Sequence, residues 1–116
     1  MGTVTIFHNP RCSKSRSSLA ILNEQGLEPE IRLYLENPPS AEELTFILTM
    51  LDISARDLLR KGESDYKALN LADPDVSETE IIKAMTEYPK LIERPIVIKD
   101  GKAAIGRPPE IILELI

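Results

Sequence analysis

A strand, a loop and a helix are predicted one after another within residues 3–26, which read TVTIFHNPRCSKSRSSLAILNEQG. The β-prone alternation of TVTIF predicts a strand over residues 3–7, and HNP then breaks the pattern into a loop. A helix is predicted over residues 13–25, and Gly26 stands where a C-terminal cap is expected. This arrangement places Cys12 at the end of the loop, immediately before a helix.

The next segment, EIRLYL at residues 30–35, alternates again and predicts a second strand. A strand, a helix and a strand in this order form a βαβ unit, which is right-handed and parallel by default. Residues 40–88 then read as a run of short helices, because three capping patterns occur there: Ser40 with Glu43, Ser54 with Asp57, and Ser77 with Glu80. The helix that opens at Ser54 is expected to run to Arg60, and Gly62 to stop it.

The last part of the chain predicts a hairpin and a short helix. The run IVI at residues 96–98 is typical of a buried strand, Asp100-Gly101 is a strong two-residue turn signal, and residues 103–105 form the returning strand. A short amphipathic helix follows Pro108-Pro109. The order β-α-β, helical block, β-β-α predicts an α/β fold with one four-stranded mixed sheet, in a single domain over residues 1–116 with a helical insertion at about 40–90.

Composition excludes several classes of protein. The chain has 116 residues, 42% of them apolar and 28% charged, as in a soluble globular domain. The sequence holds no run long enough to span a membrane and no signal-peptide pattern, so we expect a cytoplasmic protein without a membrane partner. The net charge of −5 argues against a nucleic-acid partner. One Cys and one His exclude an internal disulfide and a Cys-rich or three-His metal site.

The charge is unevenly distributed along the chain. Residues 1–23 carry Arg11, Lys14, Arg16 and no acid, a total of +3, whereas the other 93 residues carry 11 bases and 19 acids, a total of −8. A free thiol has a pKa of about 8.5, and the thiolate is the nucleophile. A helix start contributes only about 0.3–1 kcal/mol to an anion. A reactive Cys12 therefore also needs cations, and the local candidates are these three residues and a protonated His8. A small buried core residue is the alternative interpretation of Cys12.

Two cysteine motifs are absent. A phosphatase loop of the form C-x5-R fails because Ser18 stands where the arginine belongs, and a C-x-x-C dithiol motif fails because of Ser15. With no second cysteine, the chain cannot resolve a covalent adduct on Cys12 through an internal disulfide. Turnover in any redox cycle must therefore use external thiols.

Four separated motifs together resemble the glutaredoxin-coupled arsenate reductase family. They are HNPRCSKSR at 8–16, LLRK at 58–61, ERPIV at 93–97 and GRP at 106–108, and YLE at 34–36 and LNLA at 69–72 also match. The resemblance spans essentially the whole chain. It implies a thioredoxin-like fold with a helical insertion, in which the bond before Pro95 is cis.

The resemblance also implies a role for individual residues. Cys12 would be the nucleophile that forms a covalent adduct with arsenate, and His8 would favour its thiolate. The oxyanion-binding and transition-state-stabilising set would be Arg60, Arg94 and Arg107, with Arg16 in a secondary role. Glutathione would act as co-substrate, and a glutaredoxin would release arsenite and regenerate the enzyme. No metal and no tightly bound cofactor are expected.

Two other functions stay open at this point. The same fold family includes Spx-like redox-responsive regulators that bind RNA polymerase, but these usually carry the C-x-x-C switch that Ser15 removes. A glutathione-linked thiol oxidoreductase would need Cys12 and would not need all three arginines.

Overall fold

The computed structural model describes residues 4–116, and the chain divides into two compact units. The first unit combines the chain up to Asn37 with the segment Arg94–Ile116, and the second unit is Pro38–Glu93. The second unit corresponds to the helical insertion predicted at about 40–90. The single domain over residues 1–116 stays a prediction. Thr3, the predicted start of the first strand, lies outside the described residues.

The first unit contains a four-stranded mixed sheet, as predicted. Its strands are β1 (Val4–Phe7), β2 (Glu30–Arg32), β3 (Ile96–Lys99) and β4 (Lys102–Ile105). The strand order is β2-β1-β3-β4, with β1 parallel to β2 and antiparallel to β3. Asp100 and Gly101 join β3 to β4 with positive φ values of 52° and 76°, as the predicted turn requires. The sheet and its order confirm the α/β fold class.

Helix α1 (Ser13–Glu24) and a short 3-10 helix at Pro109–Glu114 pack against each other in this unit. The core between helix and sheet consists of fully or almost fully buried apolar side chains: Val4, Ile6, Leu22, Val97 and Ile112. The predicted final helix is therefore present as a 3-10 helix, the form that short helical segments often adopt.

The second strand is shorter than predicted. It ends at Arg32, and Leu33 begins a turn in which its carbonyl accepts from the backbone N–H groups of Glu36 and Asn37. The last bond to the neighbouring strand runs from His8 N–H to the Arg32 carbonyl, at 2.9 Å. The alternation of EIRLYL continues beyond this point, but β1 leaves the sheet at its loop and provides no further partner.

The second unit is helical, with α2 (Ala41–Leu51), α3 (Ala55–Leu58), α4 (Ser64–Ala68), α5 (Glu78–Glu87) and a 3-10 turn at Pro89–Leu91. Ser40, Ser54 and Ser77 cap α2, α3 and α5, and each accepts from the backbone N–H three residues later. The capping box is complete at Ser40. Within residues 4–116, no helix is long and apolar enough to cross a membrane.

Helix α3 is shorter than predicted, and α4 was not predicted. The chain becomes extended after Leu58, because Leu59 pairs with Ile92 in an isolated antiparallel bridge. Two backbone bonds flank this bridge: Arg60 N–H donates to the Leu91 carbonyl at 2.8 Å, and Glu93 N–H donates to the Leu58 carbonyl at 2.9 Å. Arg60 therefore follows a backbone bridge rather than ending a helix.

Candidate active site

Cys12 is the N-cap residue of α1 and is 9% exposed. Its backbone N–H donates to the Asn9 carbonyl at 3.0 Å, and its carbonyl accepts from Arg16 N–H at 3.0 Å, which opens the helix. The Sγ atom makes no capping bond to the first turn. The loop between β1 and α1 thus holds a free thiol at the positive end of a helix, as the sequence predicts.

Arg107 is the cation that the structure brings to this thiol. Its Nη2 lies 3.9 Å from Cys12 Sγ, although the two residues are 95 positions apart in the chain. Its Nε donates to the Arg94 carbonyl at 2.8 Å. One guanidinium therefore connects the thiol to the backbone of the segment that precedes β3.

The segments around Arg94 and Arg107 are held by close backbone packing. Gly106 N–H donates to the Pro95 carbonyl at 2.9 Å. A Cβ atom at Gly106 would overlap with Ser18 Oγ on α1 and would lie 2.9 Å from Pro95 Cγ. Only glycine fits between these two residues, and the chain then continues directly into Arg107. The peptide bond before Pro95 is cis, as the resemblance implies, and the bond before Pro108 is also cis.

Arg94 contributes to the site through its backbone. Its carbonyl is the acceptor that fixes Arg107. Its side chain is partly buried, with Nε and Nη1 away from solvent. The predicted oxyanion-binding role of its guanidinium stays a prediction.

His8 follows β1 and is 6% exposed. Its Nδ1 lies 2.6 Å from Ser15 Oγ in a buried hydrogen bond, and the same Oγ accepts from Asn9 N–H at 3.0 Å. Burial lowers the pKa of His8 below its ordinary value of 6.5, and the nearby charge of Arg16 lowers it further. His8 is thus neutral near pH 7, which disfavours the protonated His8 considered above as a cation for Cys12. The guanidinium of Arg107 is the charged group that lies next to the Cys12 thiol.

The side chain of Arg16 binds the backbone of the loop at Pro10. Its Nη1 donates to the Pro10 carbonyl at 3.0 Å, and the side chain is otherwise exposed. Its predicted role in oxyanion binding stays a prediction. Arg11 and Lys14 are exposed at the same helix start.

Arg60 lies in the second unit, where two carboxylates hold it. Its Nη1 donates to Glu63 Oε1 at 2.6 Å, and its Nε lies 3.7 Å from Glu93 Oε1. The Arg60 side chain is about one-quarter exposed, at 26%. Its assignment to the oxyanion site rests on the LLRK motif.

Sequence reasoning did not identify Ser15 or Glu63 as contacts of the predicted site residues. The i, i+3 spacing of Arg60 and Glu63 is a usable signal for an ion pair. The contact of Ser15 with His8 crosses from a helix back to a strand end, and no local pattern indicates it. In residues 4–116, no group of three or more His, Cys, Asp or Glu side chains is placed to hold a metal ion.

Comparison with known proteins gives relatives over almost the whole chain. The uncharacterized protein YfgD of Escherichia coli strain K12 is 56% identical over 97% of this chain and 96% of its own length. A Haemophilus influenzae protein named arsenate reductase is 49% identical over 98% of this chain and 99% of its own length.

Solved structures show the same fold. A structure described as arsenate reductase from Vibrio cholerae superposes with a TM-score of 0.96 at 49% identity, covering 98% of each chain. The model of the ArsC family matches residues 7–115, which include Cys12 and all of the predicted arginines. The family match and these near-full-length relatives show that the chain belongs to the ArsC family.

Proposed function

We propose that this protein is an arsenate reductase in which Cys12 is the nucleophile and glutathione with glutaredoxin supplies the electrons. The contact of Arg107 Nη2 with Cys12 Sγ at the start of α1 is the observation that carries the proposal. A thiol with a guanidinium beside it is suited to attack an anionic oxyacid, because the cation stabilises the thiolate and attracts the substrate. Relatives from Haemophilus influenzae and Vibrio cholerae that carry the name arsenate reductase support the choice of substrate.

In the first step the Cys12 thiolate attacks arsenic and displaces one arsenate oxygen, which leaves as water after protonation. The product is a covalent adduct with a sulfur–arsenic bond, and arsenic is still As(V). Negative charge concentrates on the arsenate oxygens as the thiolate approaches. Fixed cations stabilise that charge most effectively where they need not reorganise, and Arg107 is fixed by the Arg94 carbonyl.

Arginine is suited to this task because its planar fork matches the oxygens of a tetrahedral oxyanion. Arg107 already lies at the sulfur. The motifs ERPIV and GRP supply Arg94 and Arg107, and the motif LLRK supplies Arg60. We assign the three side chains to arsenate binding, with Arg16 as a secondary member and His8 as a residue that shapes the loop.

The second stage must deliver two electrons to As(V). Two thiols supply them by forming one disulfide, so that arsenate and two thiols give arsenite, a disulfide and water. Cys12 is the only cysteine of the chain, so at least one of these thiols comes from outside. Glutathione displaces a second oxygen of the adduct as water and forms a second sulfur–arsenic bond. A glutaredoxin thiol then attacks the glutathione sulfur, which breaks that bond, forms a glutaredoxin–glutathione disulfide and leaves As(III) on Cys12. Water cleaves the remaining sulfur–arsenic bond, which releases arsenite and frees the Cys12 thiol. These reductants belong to the cytoplasm, where we propose that the protein acts.

A coupled assay tests the proposal. Arsenate, glutathione, glutaredoxin, glutathione reductase and NADPH are combined with the protein, and NADPH oxidation is followed. We expect arsenate-dependent oxidation with the native chain and only background with Cys12→Ser. An equal rate with both proteins contradicts the proposal. A parallel assay replaces arsenate with a glutathione mixed disulfide, and activity in that assay alone would make the protein a thiol oxidoreductase.

A further inference from the structure

We infer that Ser15 is a positioning residue of the proposed active site. Its buried hydroxyl donates to Nδ1 of His8, holds the imidazole in the neutral Nε2–H tautomer, and ties the His8-Asn9 backbone to the first turn of α1. The catalytic meaning of this inference rests on the proposed function. Its spectroscopic test does not depend on any substrate.

Ser15 and His8 are both buried and in contact with each other. Ser15 is 0% exposed and His8 is 6% exposed. The Oγ atom lies 2.6 Å from His8 Nδ1 and 3.0 Å from Asn9 N. One hydroxyl on a helix therefore bonds both the side chain of one loop residue and the backbone of the next.

The number of protons on each group determines which atom donates in each of the two hydrogen bonds of Ser15 Oγ. A serine hydroxyl has one proton to donate and two lone pairs to accept with. Asn9 N–H is necessarily a donor, so it uses one lone pair. If His8 Nδ1 also donated, the hydroxyl proton would need another acceptor, and Ser15 has no other hydrogen-bond partner among residues 4–116. A buried polar group without a partner is costly. The hydroxyl proton therefore points at Nδ1, and Nε2 carries the proton of the neutral ring.

The electrostatics agree with this assignment. Burial lowers the pKa of His8, and the positive charge of Arg16 acts in the same direction. A protonated ring would place a hydrogen on Nδ1 against the serine hydroxyl and turn its proton away from its acceptor. His8 consequently adds no positive charge to the site near neutral pH.

The Ser15 contacts lead directly to the nucleophile. Asn9 N–H is bound to Ser15 Oγ, and the Asn9 carbonyl accepts from Cys12 N–H at 3.0 Å. Loss of the hydroxyl would release the Asn9 backbone on one side and the His8 ring on the other. Cys12 Sγ would then be placed less accurately against Arg107.

Nuclear magnetic resonance of the imidazole nitrogens tests the tautomer. His8 is the only histidine of the chain, so its signals need no assignment when the ¹⁵N-labelled protein carries no histidine tag. At pH 7 we expect a neutral ring with the proton on Nε2 and a bare Nδ1. In Ser15→Ala we expect a mixture of tautomers, and in Ser15→Thr the native tautomer again. Ser18→Ala is the matched control, because Ser18 is a second 0% exposed serine of α1 whose Oγ has no hydrogen-bond partner within residues 4–116.

A proton on Nδ1, or a charged ring, in the native protein at pH 7 would overturn the inference, as would an unchanged tautomer in Ser15→Ala.

The positioning role of Ser15 in catalysis is tested by arsenate kinetics. We expect Ser15→Ala to lower kcat by about tenfold or more with little change in KM, because misplacement of the attacking group slows the reaction while the oxyanion-binding arginines remain. Unchanged kcat would rule out the positioning role. Should the native protein not reduce arsenate, the proposed function fails, and the rate of Cys12 alkylation in Ser15→Ala takes the place of kcat.

Discussion

At the scale of single residues, Arg107 is held by one hydrogen bond and contacts the Cys12 thiol through another nitrogen of the same guanidinium. Its Nε is held by the Arg94 carbonyl, and its Nη2 faces Cys12 Sγ. We expect Arg107→Ala to lower kcat/KM for arsenate by about a hundredfold, since removal of one preorganised donor to a developing oxyanion costs about 10²–10³ in rate. Alkylation of Cys12 by neutral iodoacetamide at pH 7 should slow by a much smaller factor.

Arg11→Ala is the matched control for this variant. It removes the same charge from the exposed loop, where the Arg11 backbone N–H donates to Asn9 Oδ1 and the Arg11 side chain is exposed. Both rates should stay close to native in the control. Equal losses in the two reactions of Arg107→Ala would contradict a specific role in oxyanion stabilisation.

Glu63 competes with substrate for Arg60, if Arg60 binds arsenate as proposed. The pair Arg60–Glu63 is 2.6 Å apart and partly exposed, and such pairs contribute about 0.2–1 kcal/mol. We expect Glu63→Gln to lower the KM for arsenate by a factor of up to about five, which corresponds to that energy. Glu87 is an exposed residue of the same unit with no ion pair to any residue in the described range 4–116, so Glu87→Gln makes the same change in charge without breaking such a pair. A KM that rises in Glu63→Gln alone would show that the pair holds Arg60 ready for substrate.

The lowered pKa of His8 predicts a pH dependence of stability. The unfolded chain takes up a proton near the ordinary pKa of 6.5, whereas the native chain takes it up at a lower pH. The contribution of neutral His8 to the free energy of unfolding is therefore complete above about pH 6.5. As the pH falls from there toward the native pKa, this contribution is lost, and the free energy of unfolding decreases by at most about 1.4 kcal/mol per pH unit.

Urea unfolding at several pH values between about 7.5 and 5.5 measures this effect. The free energy of unfolding of His8→Gln should fall less steeply with decreasing pH than that of the native protein. All carboxylates are present in both proteins, so the difference between the two curves isolates His8. Parallel curves would mean that His8 has the same proton affinity in both states.

At the scale of elements, the sequence predicts best what neighbouring residues determine. Ser40, Ser54 and Ser77 cap their helices as predicted, because an N-cap depends on residues three positions away. The ends of β2 and α3 were predicted too far along the chain. Both ends are set by distant partners: β1 leaves the sheet after Phe7, and Ile92 pairs with Leu59. Strand pairing of this kind has no local signal.

Gly106, which follows β4, lies close to Ser18 on α1. We therefore expect substitutions at these two positions to have coupled effects on the free energy of unfolding. Gly106→Ala should lower the free energy of unfolding by about 1–3 kcal/mol, as overpacking of a core does, because its methyl group would overlap with Ser18 Oγ. In a Ser18→Ala background the penalty should be smaller, since Pro95 Cγ then remains as the tightest contact. Ser18→Ala alone should be nearly neutral, because the Ser18 Oγ makes no hydrogen bond to any of the described residues 4–116. Additive effects in this double-mutant cycle would disprove the contact.

At the scale of the whole molecule, local sequence patterns point to the proposed nucleophile, and only the family resemblance points to the arginine beside it. Cys12 is recognisable from a strand, a basic loop and a helix start, all within residues 3–26. Arg107 is 95 residues away and carries no local mark of function. The family motif named it, and the fold of the first unit places it at the sulfur. Neither the local sequence pattern nor the family resemblance indicates the neutral state of His8, because that state depends on the burial of the ring and on its contact with Ser15.

The single cysteine of the chain predicts a limit on arsenite formation. Reduction of one arsenate consumes two thiols, and each chain holds one. Without added thiol, the only complete reaction uses Cys12 of two chains, which would yield a disulfide between them and at most one arsenite for every two chains. Addition of glutathione and glutaredoxin should then permit many turnovers, with Cys12 returned to its thiol. Arsenite is quantified after incubation of the reduced, thiol-free protein with excess arsenate. More than one arsenite for every two chains under these conditions would show that another group of the protein supplies electrons, and the external-thiol mechanism would have to be abandoned.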